Sequence, residues 1–599
     1  MSANDGDPPD VPDDRVDLDG ESLTPEEVVA VARDRVPVTI TADARERVRT
    51  ARERVADVLE SGEPVYGLNT GFGELVDERI PPDSVERLQA NLIRSHAAGA
   101  GRELTREEVR AMVVSRINAL VKGYSGVREG VIDHLVTMLN EGVQPVVRSR
   151  GSLGASGDLA PLAHMSLVLL GEGEAILHDT TAEGAESREE GDRGAVRVTG
   201  DVALEAVDLD PLTLAPKEGL ALINGTQLTV GLAAMVVVDG ERLIRAADGA
   251  GALTTEVTLG TTASSDAAIH DVRPHAGQSA SAAAVRALTA ESDIVEAHRN
   301  CDRIQDAYSL RCLPQVHGAV RDAIAHLRAA VETELNSATD NPLVFAAEAV
   351  DDRASGTDRA AVLSGGNFHG QPLALRLEYA RLALTDLGAI SERRIDRLLN
   401  PNLQEPHLPP FLAPESGLQS GYMIAQYTAA ALLNECRSIG AASSDNTPVS
   451  GGQEDHVSMS AQSALNARRV LENVRRIVAT ELICGAQAAE YVAALLAEAS
   501  LEEREGMTAD ASSGDADVDA SGSTDGVDAT FEVIGDAGDW EADPGLGVGT
   551  NALYERLREL VPPLEDDRRL DDELDAVAAA IASGEIDETL SVTLDSRSR

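Results

Sequence analysis

Apolar positions along the chain recur mostly at helical spacing, and the interruptions carry the information. Thr41 can cap a helix to about Leu59, in which Ala, Val and Arg repeat every three or four residues. Residues 65–73 are glycine-rich, break that period and read as a loop. Helical patterns follow at about 83–98, 105–123 and 127–141. A second Gly/Ser loop, Gly151 to Gly157, leads into the apolar stretch Leu159 to Leu170. Residues of about 178–200 read as an acidic surface insertion with a short β pair beside it. Helices are then expected at about 218–247, 279–299, 314–338, 368–400, 417–440 and 456–499, and two more at about 550–560 and 567–584.

This pattern predicts a mainly α protein built as a long-helix bundle, with a small N-terminal region of different character. The expected divisions are an acidic disordered tail over 1–22, an N-terminal region over 23–217, a central bundle over 218–500, a flexible acidic insertion over 501–546 and C-terminal helices over 547–599. Composition agrees: 43% of the 599 residues are hydrophobic but only 2% are aromatic, so the core rests on Ala, Leu, Val and Ile.

The formal net charge of −51 makes nucleic acid or an anionic membrane surface an unfavourable partner. Only Lys122 and Lys217 are lysines among 51 basic residues. Such acidity with so little lysine suits a cytoplasm of molar salt, where a Debye length of about 3 Å screens self-repulsion. Instability at low salt is expected. The four cysteines are too widely spaced for a disulfide framework or zinc site. The N-terminus lacks the basic and apolar segments of a signal peptide, and no uninterrupted apolar run reaches about 18 residues. A cytoplasmic protein is expected.

The second Gly/Ser loop carries the main chemistry. If Ala155-Ser156-Gly157 bends tightly, the Gly157 amide nitrogen can attack the Ala155 carbonyl carbon, because glycine has no Cβ in the way. Loss of water closes a five-membered ring, and loss of the Ser156 hydroxyl leaves an exocyclic methylene. The product, 4-methylidene-imidazol-5-one, is an electrophile that no ordinary side chain supplies. Ala-Ser-Gly alone is not specific: it recurs at Ala354-Ser355-Gly356 and Ala520-Ser521-Gly522. The specificity lies in the surrounding string from Gly151 to His164, which resembles the signature of the aromatic amino-acid ammonia-lyase and aminomutase family.

The resemblance covers about residues 25–500 and 546–585, and six other segments match in the order found in the family's histidine-specific members. It implies a fold of long packed helices, a self-formed ring, no metal or diffusible cofactor, and a homotetramer whose sites draw on three chains. It implies that Tyr66, in Tyr66-Gly67-Leu68-Asn69-Thr70-Gly71, takes the β-proton. His96, after Arg94-Ser95, contacts a substrate imidazole. Asn224 bonds near the ring or the substrate carboxylate. In Gln305-Asp306-Ala307-Tyr308-Ser309-Leu310-Arg311, Arg311 clamps the carboxylate while Gln305 and Tyr308 orient substrate and ring. Spaced three apart, these three share one face if the segment is helical. Phe368 packs over the reactive site.

Gln453-Glu454-Asp455-His456 speaks to substrate. A carboxylate facing a phenyl ring is buried without a partner, whereas facing an imidazole Glu454 gains an N–H donor. Together with His96 it implies L-histidine, converted to trans-urocanate and ammonia. Arg150 and Arg437 depart from lysines common in the family, in keeping with the general depletion of lysine.

Overall fold

The computed structural model describes residues 15–62, 65, 81, 84–178, 195–298, 304–351, 355–444, 446–510 and 544–597. Its residues group into two compact units. One comprises Met1–Val238, Ala323–Arg381 and Gly440–Arg468, and the other Asp239–Asp322, Leu382–Ile439 and Arg469–Arg599.

Local signals set the first helices. Thr41 accepts from Ala44 N and starts the helix Ala42–Ser61, which Gly62 ends in the left-handed conformation. Thr105 and Glu108 form a reciprocal capping box on Arg106–Val121. That helix is buried on every side from Glu108 to Val121, so its polar residues must find partners inside the protein. Arg110 donates to Val31 O and Leu139 O, and Asn118 to Leu335 O.

Short strands brace the first unit. Glu174–Leu177 pairs antiparallel with Val143–Pro145 on one side and Val196–Thr199 on the other, which is the β pair expected beside the acidic insertion. Residues 179–194 of that insertion lie outside the described residues. Ala360–Leu363 pairs with Leu343–Ala346 and with Ser355–Gly356, and Val344, Ala360 and Val362 pack on Val55 and Val58. The second Ala-Ser-Gly thus has its serine and glycine in an extended strand. The described part of the expected disordered tail is ordered: Val16–Leu18 runs parallel to Val38–Ile40, because Val16 and Leu18 can both be buried there.

Two expected helices differ in a way that matters. The stretch at 218–247 is two helices, Glu218–Ile223 and Gln227–Val257, broken at Asn224-Gly225-Thr226. The one at 456–499 begins at Ser460 and continues to Asp510, past the expected start of the flexible insertion. Residues 511–543 lie outside the described residues. Ser460–Leu495 is long and apolar enough to cross a membrane, but 89% of its apolar window is buried in protein, as in a core helix.

The second unit is helical and ends with Val548–Leu560, Asp571–Ser583 and a helix the pattern did not reveal, Glu585–Arg597. Gly547, at the start of the first of these, donates its N–H to Glu256 Oε1 at 2.8 Å. Burial pushes the Glu256 carboxyl up to about 7, against hydrogen bonds from Thr550, Ser292 and Gly547 that lower it. Folded protein therefore binds more protons than unfolded protein between about pH 4.5 and 7. Stability falls as pH rises through that window, by about 3 kcal/mol in all. Glu256→Gln keeps the acceptor and cannot ionise, so its urea midpoint should fall less than the wild type's between about pH 5 and pH 8. Equal slopes would show that Glu256 does not titrate in this range.

Candidate active site

The Ala155-Ser156-Gly157 loop joins the strand Arg148–Arg150 to the helix Leu159–Leu169 and is held from several sides. Gly154 O accepts from Gly370 N and from Ser458 Oγ, both at 2.9 Å, and Leu153 O accepts from Met459 N at 2.7 Å. Gly157 forms a parallel bridge with Gly225, and Asp158 N donates to Gly225 O at 2.7 Å. Gly157 has φ +76°, and a Cβ there would lie 2.2 Å from Gly225 O. Only glycine can make this approach.

Asp158 begins the following helix without capping it through its side chain. Its fully buried carboxylate instead accepts from Ser152 Oγ at 2.7 Å and Thr229 N at 2.8 Å. Burial raises its pKa, and the bonds from Thr229 and Ser152 oppose that rise. Thr229 Oγ1 also lies 3.0 Å from Ser460 Oγ, linking the clamp to the helix that follows the Glu454 segment. Thr229, Ser458 and Ser460 gave no sign in the sequence, since an isolated hydroxyl in a helix or loop has no local signature.

Three expected site residues meet here. Asn224 is the C-cap of Glu218–Ile223, and its Nδ2 donates to Ser156 O at 2.7 Å. Ser156 Oγ donates to Glu454 Oε1 at 3.0 Å. Glu454 is half-buried, and its segment is shaped by Val449 N donating to Glu454 O and by Asn446 Oδ1 accepting from Val457 N. Phe368 is half-buried beside His369, whose ring stacks on that of His456 at 5.8 Å.

His96 ends the helix Val85–His96. Its Nδ1 lies 2.8 Å from Leu92 O, a pure acceptor, so in the neutral ring the tautomer with the proton on Nδ1 and Nε2 as acceptor is favoured. Tyr66 lies outside the described residues.

Gln305, Tyr308 and Arg311 form their own group in the other unit. The helix there starts only at Tyr308, so Gln305 precedes it and the three do not lie on one helix face. Gln305 still accepts from Arg311 Nη1, and the Arg311 guanidinium lies 5.6 Å from the centre of the Tyr308 ring. Thr261 N donates to Asp306 Oδ2 at 2.8 Å and pins the segment. Tyr308 itself is 73% exposed.

The surroundings of Ser156 fit a ring built from residues 155–157. Gly157 sits where a Cβ has no room, a side-chain amide bonds to Ser156 O, and a carboxylate stands 3.0 Å from the Ser156 hydroxyl. Among the described residues, Asn224 Oδ1 is buried without a hydrogen-bond partner, as befits an amide oriented toward Ser156 rather than one satisfied by packing.

The sequence pattern of the aromatic amino acid lyases matches residues 23–509. This chain belongs to the aromatic amino acid lyase family. It is similar to the probable histidine ammonia-lyase of Halobacterium salinarum, with 56% identity over 96% of this chain and 98% of that one. Among solved structures it resembles the tyrosine aminomutase of Streptomyces globisporus, at 36% identity and a TM-score of 0.79, over 96% of this chain and 98% of that one. It also resembles the histidine ammonia-lyase of Trypanosoma cruzi, at 35% identity and a TM-score of 0.77, over 97% and 95% of the two chains. As a member of the aromatic amino acid lyases, the chain is an enzyme and has their long-helix fold.

Proposed function

We propose that this lyase deaminates L-histidine to trans-urocanate and ammonia, with 4-methylidene-imidazol-5-one formed from Ala155, Ser156 and Gly157 as its only prosthetic group. The observation that carries the choice of substrate is the Glu454 carboxylate, 3.0 Å from Ser156 Oγ. A carboxylate so close to the reacting centre favours a substrate side chain with an N–H to donate, which histidine has and phenylalanine lacks. His96, whose neutral ring offers Nε2 as an acceptor, adds a second group suited to an imidazole.

The ring supplies an electrophilic carbon that makes the substrate amine a better leaving group. The protein's own residues do the rest. Arg311 pairs bidentately with the substrate carboxylate, exchanging its bond to Gln305, while Gln305 and Tyr308 orient substrate and ring. Asn224 donates to Ser156 O and stabilises charge that develops there. Tyr66 takes the β-proton, and Phe368 covers the reacting face. Glu454 holds the imidazole N–H.

The exposure of Tyr308 and of Ile304, which is 94% exposed, supports a subunit contact at the Arg311 segment. Leu375, Tyr379 and Leu382, exposed at helical spacing, support the same homotetramer. We place the enzyme in a salt-rich cytoplasm on its charge and its arginine-for-lysine bias.

The test is absorbance in the urocanate band after L-histidine, L-phenylalanine or L-tyrosine is added to protein in multimolar KCl. A rise with histidine alone is expected. A response to either other amino acid instead would overturn the histidine reading. Glu454→Gln, which loses the charge, should lower kcat/KM for histidine about 10²-fold, or about 3 kcal/mol. A change below threefold would remove Glu454 from substrate recognition.

A further inference from the structure

A buried charge cluster lies beneath Asn224 and Gly225. Lys217 Nζ donates to Asp340 Oδ2 at 2.7 Å, and neither side chain is more than 3% exposed. Burial lowers the Lys217 pKa against the attraction of Asp340. Asp340 also attracts Arg116, which is completely buried and pushed down to about 10 by desolvation. Arg116 Nη1 donates to Gln227 Oε1 at 2.6 Å, and Gln227 Nε2 donates to Thr339 Oγ1 at 2.7 Å. A Cβ on Gly225 would sit 2.6 Å from Arg116 Nη1 and 2.9 Å from Thr339 Oγ1. Arg116 and Thr339 therefore form the floor on which Gly225 rests.

The cluster grips the short helix Glu218–Ile223 at both ends. Lys217 is its N-cap, and Asn224 and Gly225 follow its last residue. Three features set this apart from ordinary packing. Lysine is nearly absent from this chain, yet one of its two lysines is the fully buried one, where a compact ammonium on a flexible stem does what a guanidinium fork cannot. The Lys217 backbone has φ +79°, a conformation a lysine holds only when its surroundings enforce it. Two cations share one carboxylate, and among the described residues Arg116 Nε and Nη2 are buried without partners. Apolar residues in their place would serve stability better.

We propose that Arg116, Lys217 and Asp340 are positioning residues for ring closure, an inference that rests on the ring chemistry proposed above. They fix Asn224 and Gly225, and these bend residues 155–157 through the bond to Ser156 O and the bridge to Gly157. In that closure the Gly157 nitrogen bonds to the Ala155 carbonyl carbon. The carbonyl oxygen leaves as water with the amide protons of Ser156 and Gly157. The Ser156 hydroxyl leaves as a second water with its Cα proton.

The experiment is the mass of the proteolytic peptide spanning residues 151–164 in wild type, Lys217→Met, Asp340→Asn and the double variant. Folding is checked by circular dichroism in multimolar KCl. Wild-type peptide is expected to lack two waters. In the folded variants the dehydrated fraction should fall at least tenfold, with kcat falling in proportion and KM for L-histidine moving less than twofold. If a single variant does not fold, the double variant decides, because it leaves the net charge of the cluster unchanged. Folded variants dehydrated as fully as wild type would overturn the proposal alone. Wild type that retains both waters would overturn the ring reading and this proposal with it.

Discussion

Ser156→Ala is expected to give a folded chain that no longer deaminates L-histidine, with kcat reduced by at least about 10⁴-fold. The hydroxyl is the leaving group from which the methylene arises, and alanine has none. The scale is that of deleting a covalent nucleophile, where losses on the order of 10⁶ are known. Relative to the uncyclised chain, stability should change by no more than about 1–2 kcal/mol. Before ring closure Ser156 is half-buried and its Oγ makes one described hydrogen bond, a partly exposed one to the Glu454 carboxylate. The checks are urocanate absorbance in multimolar KCl and the mass of the loop peptide, which should not show the loss of two waters. Activity within tenfold of wild type would mean that the reaction does not depend on a ring from these residues.

Local and distant signals explain why that loop was legible when its supports were not. Thr41 and Thr105 announce their helices because a cap needs only neighbours three residues away. Gly157 announces a tight turn for the same reason. The break at Asn224–Thr226 has only the Asn224-Gly225 dipeptide as a local signal, and the apolar period that continues across it outweighs that signal. What breaks the helix is tertiary: Gly225 lies at φ +150° against Arg116, Gln227 and Thr339. Arg116 reads from sequence as one charged position among many in a helix, and only the structure shows it completely buried. Spacing puts Gln305 on a shared face with Tyr308 and Arg311 only if the segment is helical, and the helix begins at Tyr308. Residues 304–307 are irregular, and Gln305 reaches Arg311 from outside the helix. In each case partners far along the chain, which no local pattern carries, set the position of the group.

Glu481→Ala is expected to destabilise the protein by about 3–5 kcal/mol, the range for breaking a buried ion pair from one side. Glu481 and Arg394 are both 0% exposed, joined at 2.5 and 2.9 Å. Thr254 and Ser391 also donate to the Glu481 carboxylate, at 2.9 and 2.6 Å. Arg394 Nη1 reaches His317 Nε2 at 3.2 Å, and His317 Nδ1 donates to Asp248 Oδ1 at 2.7 Å. Burial and the neighbouring Arg394 hold His317 toward its neutral form, so in this chain the guanidinium balances Glu481 directly. Alanine at 481 leaves that guanidinium buried without its carboxylate. Arg394→Met combined with Glu481→Leu removes both charges and should lose less than Glu481→Ala alone, since the two sites are in contact and their effects do not add. Salt separates this core effect from the acidic surface. Exposed carboxylates repel less as KCl rises, whereas a buried pair is scarcely screened. Urea midpoints at several KCl concentrations should therefore shift together, with a gap between wild type and Glu481→Ala that stays constant. A gap that closes as salt rises would show the pair with Arg394 to be screened like a surface contact, whereas one that widens would place part of the Glu481 effect in long-range repulsion.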